Sequence, residues 1–377
     1  MSKNSDIKVA LVIDWLTVYG GAERVVEQII ECYPNCDIFS LIDFLDDKQR
    51  FFVKGKKAST SFIQKLPFAK KLYRIYLPFM PMAIESFNLG KYDLVISSSH
   101  AVARGVITYP NQIHFSYLQA RGLKYLYEEK SNYTQGNILG IFKEWLSHKV
   151  RMWDSIASSR PDYTISNSKF VSNWNKKIHL VDSHVIHPPV DIDLFSSYFS
   201  ESKEDYYVIV GRMEPYKRFD IAIKAFNILG KKLIVIGSGT CENKLKKMSL
   251  PNIEFIGYQS KETIAKIISK ARGFIFPGRE DFGISLVEAQ ACGTPVIANG
   301  QGGACEIVNN IGNSNNPTGI LFKEQTVESL VDSIHYFESL KDKILPNDCL
   351  QNAKRFSKEI FKNNLMNFIN SKTYDLK

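Results

Sequence analysis

Apolar residues along the chain form short continuous runs, separated by segments in which they recur at helical spacing. Such runs are typical of buried strands, and the spacing between them is typical of packed helices. The runs predict strands at residues 8–13, 92–97, 163–166, 206–211, 232–237, 252–257, 273–276, 295–298 and 319–322. Helices are predicted after Gly21, over residues 137–160, 168–177, 221–226, 261–270 and 283–292, and from about residues 326 and 348. In the second half, strands alternate with helices throughout, which predicts a parallel sheet with helices on both faces.

The length of the chain predicts two domains. A single hydrophobic core rarely grows beyond about 250 to 300 residues, and this chain has 377. The strand at Val185 runs into Pro188-Pro189, and a proline pair sets an extended path that cannot continue a helix. We therefore place the domain boundary there, with residues 1–189 before it and 190–356 after it. Ser166-Asn167 is the predicted cap of the helix over 168–177.

The apolar runs and the cysteines of the chain indicate the cellular compartment in which we expect the protein. No stretch approaches the roughly 18 to 20 uninterrupted apolar residues of a membrane span, and residues 1–14 read as a first strand rather than as a signal peptide. The six cysteines form no CxxC pair and no zinc-like ligand set, which favours reduced, structural thiols. We expect the protein in the cytoplasm.

Residues 277–306 are the most informative stretch. With the strand at 273–276 before them, they read as strand, loop, helix and second strand. The loop ends at Gly283, where the unpaired N–H groups and dipole of a helix start favour a phosphate. Glu280 and Glu288 flank this point and can accept hydrogen bonds from hydroxyls on either side of that phosphate. The arrangement suits a sugar diphosphate. An ordinary buried strand and helix with turn glycines is the plain alternative.

Two further segments suit anion binding. Gly20-Gly21 follows the first strand and precedes a helix, although such a pair is also common in plain strand-to-helix turns. Arg212 follows the strand at 206–211, and Lys217 lies near the next helix start. Two permanent cations there can bind both phosphates of a diphosphate and stabilise charge on a leaving group, with a structural salt bridge as the alternative. His100 follows the strand at 92–97, where ligands collect in open α/β sheets, with a structural histidine as the alternative.

The string from Glu280-Asp281-Phe282-Gly283 through Glu288-Ala289 and Gly293-Thr294-Pro295 to Gly302-Gly303 resembles the signature of retaining nucleotide-sugar glycosyltransferases of family four. The resemblance implies the α/β GT-B fold, with two Rossmann-like doubly wound domains facing a cleft. It also implies an acceptor domain at 1–189, a donor domain at 190–356, and a last helix within 357–377 that crosses back. By this resemblance catalysis falls to His100, Arg212, Lys217 and Glu280, and substrate binding to Gly20, Gly21, Tyr258, Phe282, Gly283, Ile284 and Glu288.

The residues of these motifs most resemble those of bacterial mannosyltransferases that use GDP-mannose in surface polysaccharide assembly. UDP-sugar enzymes share the scaffold, and a non-catalytic sugar-nucleotide-binding protein or a sugar-nucleotide epimerase would keep it too. Mannosyltransferases of this type commonly read Tyr-x-His-Thr-Pro where this chain has Tyr117-Leu118-Gln119-Ala120-Arg121, so the acceptor does not transfer from the family. We expect a glycan or lipid-linked acceptor.

No cofactor and no metal are expected. Asp191-Ile192-Asp193 matches an Asp-x-Asp metal motif only superficially, because it lies in the linker pattern. No carboxylate stands out as a nucleophile, so the expected mechanism is front-face substitution assisted by the leaving phosphate.

The positive charge of the chain lies mainly in its first half. Residues 1–190 hold 24 Lys and Arg against 17 Asp and Glu, whereas 191–377 hold 24 against 22. Seven of these basic residues and no acidic residue occur in 54–74, interleaved with aromatic and aliphatic side chains. Residues 54–80 are therefore predicted either to contact an anionic membrane on its inner face or to form a packed helix pair with a solvated basic face. No nucleic-acid-binding motif accompanies them.

Overall fold

The computed structural model describes residues 7–128 and 138–373. The chain divides into two compact units, one formed by residues 1–188 together with 361–377 and the other by 189–360. The division between them falls at Pro188 and Pro189. The last helix contributes its residues from Phe361 onward to the first unit.

The first unit is built on a seven-stranded sheet in which every neighbouring pair is parallel. Its strands are β1 (Val9–Ile13), β2 (Asp37–Ser40), β3 (Ser59–Thr60), β4 (Leu94–Ser99), β5 (Ile113–Leu118), β6 (Tyr163–Ser166) and β7 (His184–Val185). They lie in the order β3-β2-β1-β4-β5-β6-β7. The second-half pattern of strand and helix thus extends to the first half.

Helices of the first unit cover this sheet. They are α1 (Gly21–Cys32), α2 (Ala69–Leu72), α3 (Met80–Glu85), α4 (Ile138–Ala157) and α5 (Lys169–His179). In α1 the helically spaced Val25, Val26, Ile29 and Ile30 are buried against the sheet, as their spacing predicted. Helix α5 is capped by Ser168, whose hydroxyl accepts from the Val171 N–H at 3.1 Å, so the predicted cap at 166–167 was wrong by one residue.

The second unit repeats the plan with six parallel strands. They are β8 (Glu204–Val210), β9 (Leu233–Ile236), β10 (Ile253–Gly257), β11 (Ala271–Phe276), β12 (Val296–Asn299) and β13 (Gly319–Phe322), in the order β10-β9-β8-β11-β12-β13. Its helices are α6 (Ile192–Ser196), α7 (Phe219–Leu229), α8 (Glu242–Met248), α9 (Lys261–Lys270), α10 (Ile284–Ala291), α11 (Ala304–Ile307), α12 (Val327–Leu340) and α13 (Pro346–Ala353), followed by α14 (Lys358–Lys372). Two apolar cores lie on opposite faces of the sheet.

Both sheets are doubly wound, which positions the sites described below. Chain order along the first sheet reverses between β1 and β4, and along the second between β8 and β11. Loops that leave the carboxyl ends of such a strand pair diverge to opposite faces of the sheet, and the crevice between them is where ligands bind in open α/β sheets. The predicted parallel α/β architecture is confirmed.

The basic segment differs from its prediction as a helix pair. Residues 62–85 form a 3-10 turn (Phe62–Lys65), the short helix α2, a second 3-10 turn (Tyr73–Phe79) and α3. Pro78 and Pro81 interrupt the hydrogen-bonding pattern of a regular helix here, since proline lacks an amide hydrogen. Across the described ranges, no helix has both the length and the apolarity to cross a bilayer.

Candidate active site

Lys217 and Glu280 meet beside the carboxyl ends of β8 and β11. Lys217 ends a 3-10 turn, Pro215–Lys217, that follows β8, and Glu280 lies in the loop after β11. The Lys217 ammonium donates to the Glu280 carboxylate, and the two side chains are only 15% and 20% exposed. The structure thus joins a cation and a carboxylate that sequence reasoning had assigned to separate parts of a ligand.

Glycines allow the two loops to approach closely. A Cβ at Gly278 would lie 3.1 Å from both the Cα and the carbonyl oxygen of Lys217. Gly211, at the end of β8, has φ +154°, and its Cβ would lie 3.4 Å from the Lys217 Nζ. Larger residues would push these loops apart, so the chain needs small residues here for the Lys217–Glu280 contact.

The glycine pair after β12 holds the backbone of the Glu280 loop. The Gly303 N–H donates to the Glu280 carbonyl at 3.0 Å. A Cβ at Gly302 would lie 2.3 Å from that same carbonyl oxygen, and a Cβ at Gly303 would lie 2.3 Å from the Phe282 carbonyl oxygen. Sequence reasoning quoted this pair as part of a motif and gave it no role. Its role here is to fix the position of residues 280–282.

Gly283 turns the chain from that loop into α10. It is the N-cap residue at φ +111°, a left-handed conformation that favours glycine, and no side chain caps the helix. The Phe282 side chain is buried and packs edge-on against Phe356, with 5.5 Å between the ring centroids. Ile284 packs partly buried against the same core, and Glu288 lies in the second turn of α10 with 8% exposure. The first N–H groups of α10 therefore begin directly beside the Glu280 loop.

Arg212 and Tyr258 are more exposed than the residues above. The Arg212 guanidinium donates to the Tyr216 hydroxyl at 3.3 Å. Tyr258 follows Gly257 at the end of β10, and 84% of it is exposed. Both follow carboxyl ends of strands in the second sheet, as predicted, but neither is held by a tight set of contacts.

A buried carboxylate positions His100 in the first unit. Asp14 directly follows β1 and is fully buried. Its Oδ2 accepts the N–H groups of His100 and Ala101 at 2.6 and 2.9 Å, and its Oδ1 accepts those of Val102 and Ala103 at 2.6 and 2.7 Å. The His100 Nδ1 lies 3.1 Å from Oδ2. Asp14 therefore holds both the backbone and the ring of the predicted site histidine.

Sequence reasoning missed Asp14, although a signal was present. A carboxylate that directly ends an apolar strand is costly to bury without partners, so it indicates a nearby set of donors. The ring of His100 also packs edge-on against Trp15, with 4.4 Å between ring centroids. These contacts leave Nε2 as the ring nitrogen pointing away from Asp14.

The predicted Gly20-Gly21 turn lies beside the same histidine. The Gly20 N–H donates to the Glu23 carboxylate at 2.9 Å, and Gly21 is the first residue of α1. Burial raises the pKa of Glu23, and the nearby His100 acts in the opposite direction. Gln119, at the end of β5, donates to the Ala22 carbonyl at 3.2 Å. Gln119 therefore supports the start of α1.

The linker aspartate is engaged by lysines. The Asp191 carboxylate accepts from Lys358 at 3.0 Å, and Lys261 lies 3.8 Å away. Among residues 7–128 and 138–373, no group of three or more His, Cys, Asp or Glu side chains is arranged to hold a metal ion.

The second unit is similar to a known protein family. The family described as Glycosyl transferases group 1 matches residues 191–356. Residues 191–356 thus resemble a glycosyl transferases group 1 domain. An uncharacterized glycosyltransferase of Methanocaldococcus jannaschii is 29% identical over 218 residues, which is 56% of this chain and 59% of that protein. The chain thus spans little more than half of that relative's length.

Two further proteins resemble this chain. A GDP-mannose-dependent monoacylated alpha-(1-6)-phosphatidylinositol monomannoside mannosyltransferase of Corynebacterium glutamicum is 34% identical over 113 residues, 26% of this chain and 30% of that one. The Anabaena HepE protein, solved in complex with UDP and glucose, shares the fold with a TM-score of 0.69 at 17% identity, over 97% of this chain and 100% of that one. The two parallel-sheet units are those of the GT-B glycosyltransferase fold, as predicted.

Proposed function

We propose that this chain is a retaining, metal-independent glycosyltransferase that moves mannose from GDP-mannose to a glycan or lipid-linked acceptor in bacterial surface polysaccharide assembly, on the cytoplasmic side of the membrane. The observation that carries the proposal is the contact between Lys217 and Glu280 at the strand reversal of the glycosyl transferases group 1 domain. A cation for phosphate and an acceptor for sugar hydroxyls lie within one hydrogen bond of each other. A sugar diphosphate carries both groups at adjacent positions.

The donor is bound by the second unit. Lys217 and Arg212 bind the diphosphate, and the N-terminal end of α10 at Gly283 adds backbone N–H groups. Glu280 and the Phe282–Ile284 backbone bind the sugar. Glu288 binds the ribose, and Tyr258 lies near the base. The glycine pair at 302–303 supports these assignments because it fixes the loop that provides the sugar contacts.

The first unit presents the acceptor. Gly20 and Gly21 offer their backbone to a phosphate, and His100 offers to a sugar hydroxyl the ring that Asp14 orients. A histidine held in this way need not be a general base, because its role is to orient the sugar.

The reaction is a front-face substitution. The bond between the anomeric carbon and the phosphate oxygen breaks, and its electron pair leaves with the diphosphate. The acceptor oxygen forms its bond to the anomeric carbon on the same face, and its proton passes to the departing phosphate oxygen. Lys217 and Arg212 stabilise the charge on the leaving diphosphate, which is the largest contribution expected from the protein.

The nucleotide base of the donor has two candidates, guanine and uracil. The Corynebacterium relative is named as GDP-mannose-dependent, and it is 34% identical over the matched segment. The Anabaena protein was solved with UDP and glucose, at 17% identity. We rank GDP-mannose first because of the residues in the motifs and the name of the Corynebacterium relative, and a UDP-sugar second.

A transfer assay tests the proposal. The full chain is incubated with a bacterial membrane extract and either GDP-mannose or UDP-glucose, each labelled in the sugar. We expect label from GDP-mannose in the lipid or glycan fraction, and its loss in Lys217→Met, which keeps the length of the side chain but removes its charge. Lys224→Met is the matched control, because Lys224 is an exposed lysine on α7 outside the Glu280 loop.

Three results would contradict parts of the account. Transfer from UDP-glucose alone would replace the donor and leave the mechanism. Free labelled sugar without any labelled acceptor would favour a hydrolase- or epimerase-like activity. Full transfer by Lys217→Met would remove the central cation from the mechanism.

A further inference from the structure

The outer face of α4 carries an apolar stripe that no part of the described chain covers. Ile141, Trp145, Met152 and Ile156 are 69%, 51%, 48% and 61% exposed. At about 100° per residue these positions fall within an arc of about 60°. Val150, Asp154 and Ala157 lie on the opposite side of the helix and are buried. Helix α4 therefore has an inner face packed on its own core and an outer apolar face.

The neighbouring basic segment also turns apolar side chains outward. Its inner residues Ile63, Tyr73 and Met80 are buried in the core that Val150 joins. Six other apolar side chains of this segment are exposed, namely Phe62, Phe68, Leu72, Ile75, Phe79 and Met82, with Phe68 at 76% and Ile75 at 68%. Exposed apolar side chains scattered singly are normal, but so many in one short segment indicate an interaction surface.

The two elements lie side by side. The Trp153 indole of α4 donates to the Glu85 carboxylate at 2.6 Å, and Arg160 pairs with the same carboxylate at 2.6 Å. Trp153 also packs with Tyr76 and Leu77 against the shared core. The outward faces of α4 and of residues 62–82 thus belong to adjoining parts of the first unit, and we call them together the basic apolar surface.

The charge of this region is strongly positive. Residues 54–86 and 138–160 contain eleven lysines and arginines and three acidic residues. Of the acidic residues, Asp154 is buried against Arg104, and Glu85 and Glu144 pair with arginines. The net charge of these two stretches is therefore +8, close to the +9 of the whole chain. Lys149 lies beside the apolar stripe, with its Nζ 5.7 Å from the Trp145 ring centroid.

We propose that the basic apolar surface docks on the surface of a bilayer that contains anionic lipids. Its apolar side chains enter the boundary between head groups and acyl chains, and the surrounding lysines and arginines bind the lipid phosphates. A bilayer matches both properties at once, since aromatic and aliphatic side chains favour the interface and each cation gains from the negative surface potential. A second copy of the chain would bring two surfaces of the same charge together. This inference stands apart from the proposed activity, although docking there would bring the enzyme to a lipid-linked acceptor.

Vesicle flotation tests this proposal on the full chain without nucleotide. We expect the protein to float with vesicles that contain phosphatidylglycerol, to remain unbound with phosphatidylcholine alone, and to dissociate at high salt. The variant Lys70→Glu/Lys71→Glu on α2 should partition at least about tenfold more weakly, since each basic residue at the membrane surface contributes about fivefold. Lys244→Glu/Lys247→Glu is the matched control, because it makes the same charge change on exposed lysines of the short helix α8 in the second unit.

A second pair of variants tests the apolar contribution. Phe68→Ser/Ile75→Ser should lose flotation, whereas Ile228→Ser/Leu250→Ser removes two exposed apolar side chains from the second unit and should float like the parent. Far-ultraviolet circular dichroism and a thermal unfolding scan establish that each variant is folded. Failure of the parent to float, or equal loss in the control variants, would overturn the proposal, as would a stable dimer that Phe68→Ser/Ile75→Ser dissociates. Donor binding in solution is measured separately, so loss of docking with donor binding intact refutes only this inference.

Discussion

Replacing Asp14 by asparagine tests whether this carboxylate organises the His100 loop. Each carboxylate oxygen of Asp14 accepts two backbone N–H groups at 2.6 to 2.9 Å inside the core. Asparagine keeps one oxygen and replaces the other with an NH2 group, which cannot accept. Two N–H groups then face a donor with no acceptor available, whichever way the amide is turned.

The cost follows from those two lost bonds. A hydrogen bond to a charged group contributes about 1.5 to 3 kcal/mol, so Asp14→Asn should lower the free energy of unfolding of the first unit by about 3 to 6 kcal/mol. That is a large share of the roughly 5 to 15 kcal/mol that keeps a typical domain folded. The His100 ring loses its Nδ1 partner in the same change, so donor turnover should fall beyond what instability explains.

The assay uses the distribution of tryptophan. All four tryptophans, at positions 15, 145, 153 and 174, lie in the first unit, so urea unfolding followed by tryptophan fluorescence reports on that unit. Asp182→Asn is the control, because its carboxylate is 81% exposed in a surface ion pair with Lys176 and should have no measurable effect. A loss of less than about 1 kcal/mol in Asp14→Asn would refute the proposed role of Asp14.

Two further predictions concern the second and first units in turn. Gly302→Ala should weaken donor binding by about tenfold or more, because its Cβ would meet the Glu280 carbonyl oxygen at 2.3 Å and displace the loop. Calorimetry measures this against Gly312→Ala, which has the same left-handed strain at φ +88° and no neighbour within 4 Å. Equal effects would show that strain alone is responsible. Burial lowers the pKa of His114 to about 3, so below about pH 6.5 the unfolded chain binds a proton that the folded state excludes. This difference should lower the free energy of unfolding of the first unit by up to about 1.4 kcal/mol per pH unit as the pH falls from about 6.5 to 3. The variant His114→Gln should flatten that slope. The control His148→Gln changes an exposed histidine and should leave the slope unchanged. An unchanged slope in His114→Gln would contradict it.

Local patterns were enough to predict most of the fold. Residues 163–166 and 319–322 form strands with the predicted bounds. The second of them is the continuous apolar run expected of a strand buried on both faces. Helix α9 also has its predicted bounds, since its cap and periodicity agree. Strands β2, β3 and β5 were missed. Strands β2 and β3 are short and lie toward the edge of the sheet, where side chains are less uniformly apolar. Strand β5 lies inside the sheet, but the buried polar residues His114 and Ser116 interrupt its apolar run.

The parts of the candidate site that the sequence did not predict are contacts between segments far apart in the chain. The motif at 280–288 indicated an anion site from local spacing, but its contact with Lys217 spans 63 positions and depends on the order of strands in the sheet. The hydrogen bonds between the Asp14 carboxylate and the backbone of residues 100–103 span more than 80 positions and also depend on the order of strands. For residues 54–80 the sequence offered a packed helix pair as one of two alternatives, whereas the prolines and the packing divide the segment into short helices and 3-10 turns.

Calorimetric titration of the full chain with GDP-mannose, GDP, UDP-glucose and UDP, repeated on Lys217→Met, tests the central claim most directly. The account predicts selective binding of GDP-mannose and GDP, at least about tenfold weaker in Lys217→Met because a buried charge contact to phosphate is lost. Folded protein that binds none of the four nucleotides, or that binds them equally well without the Lys217 charge, would contradict the account.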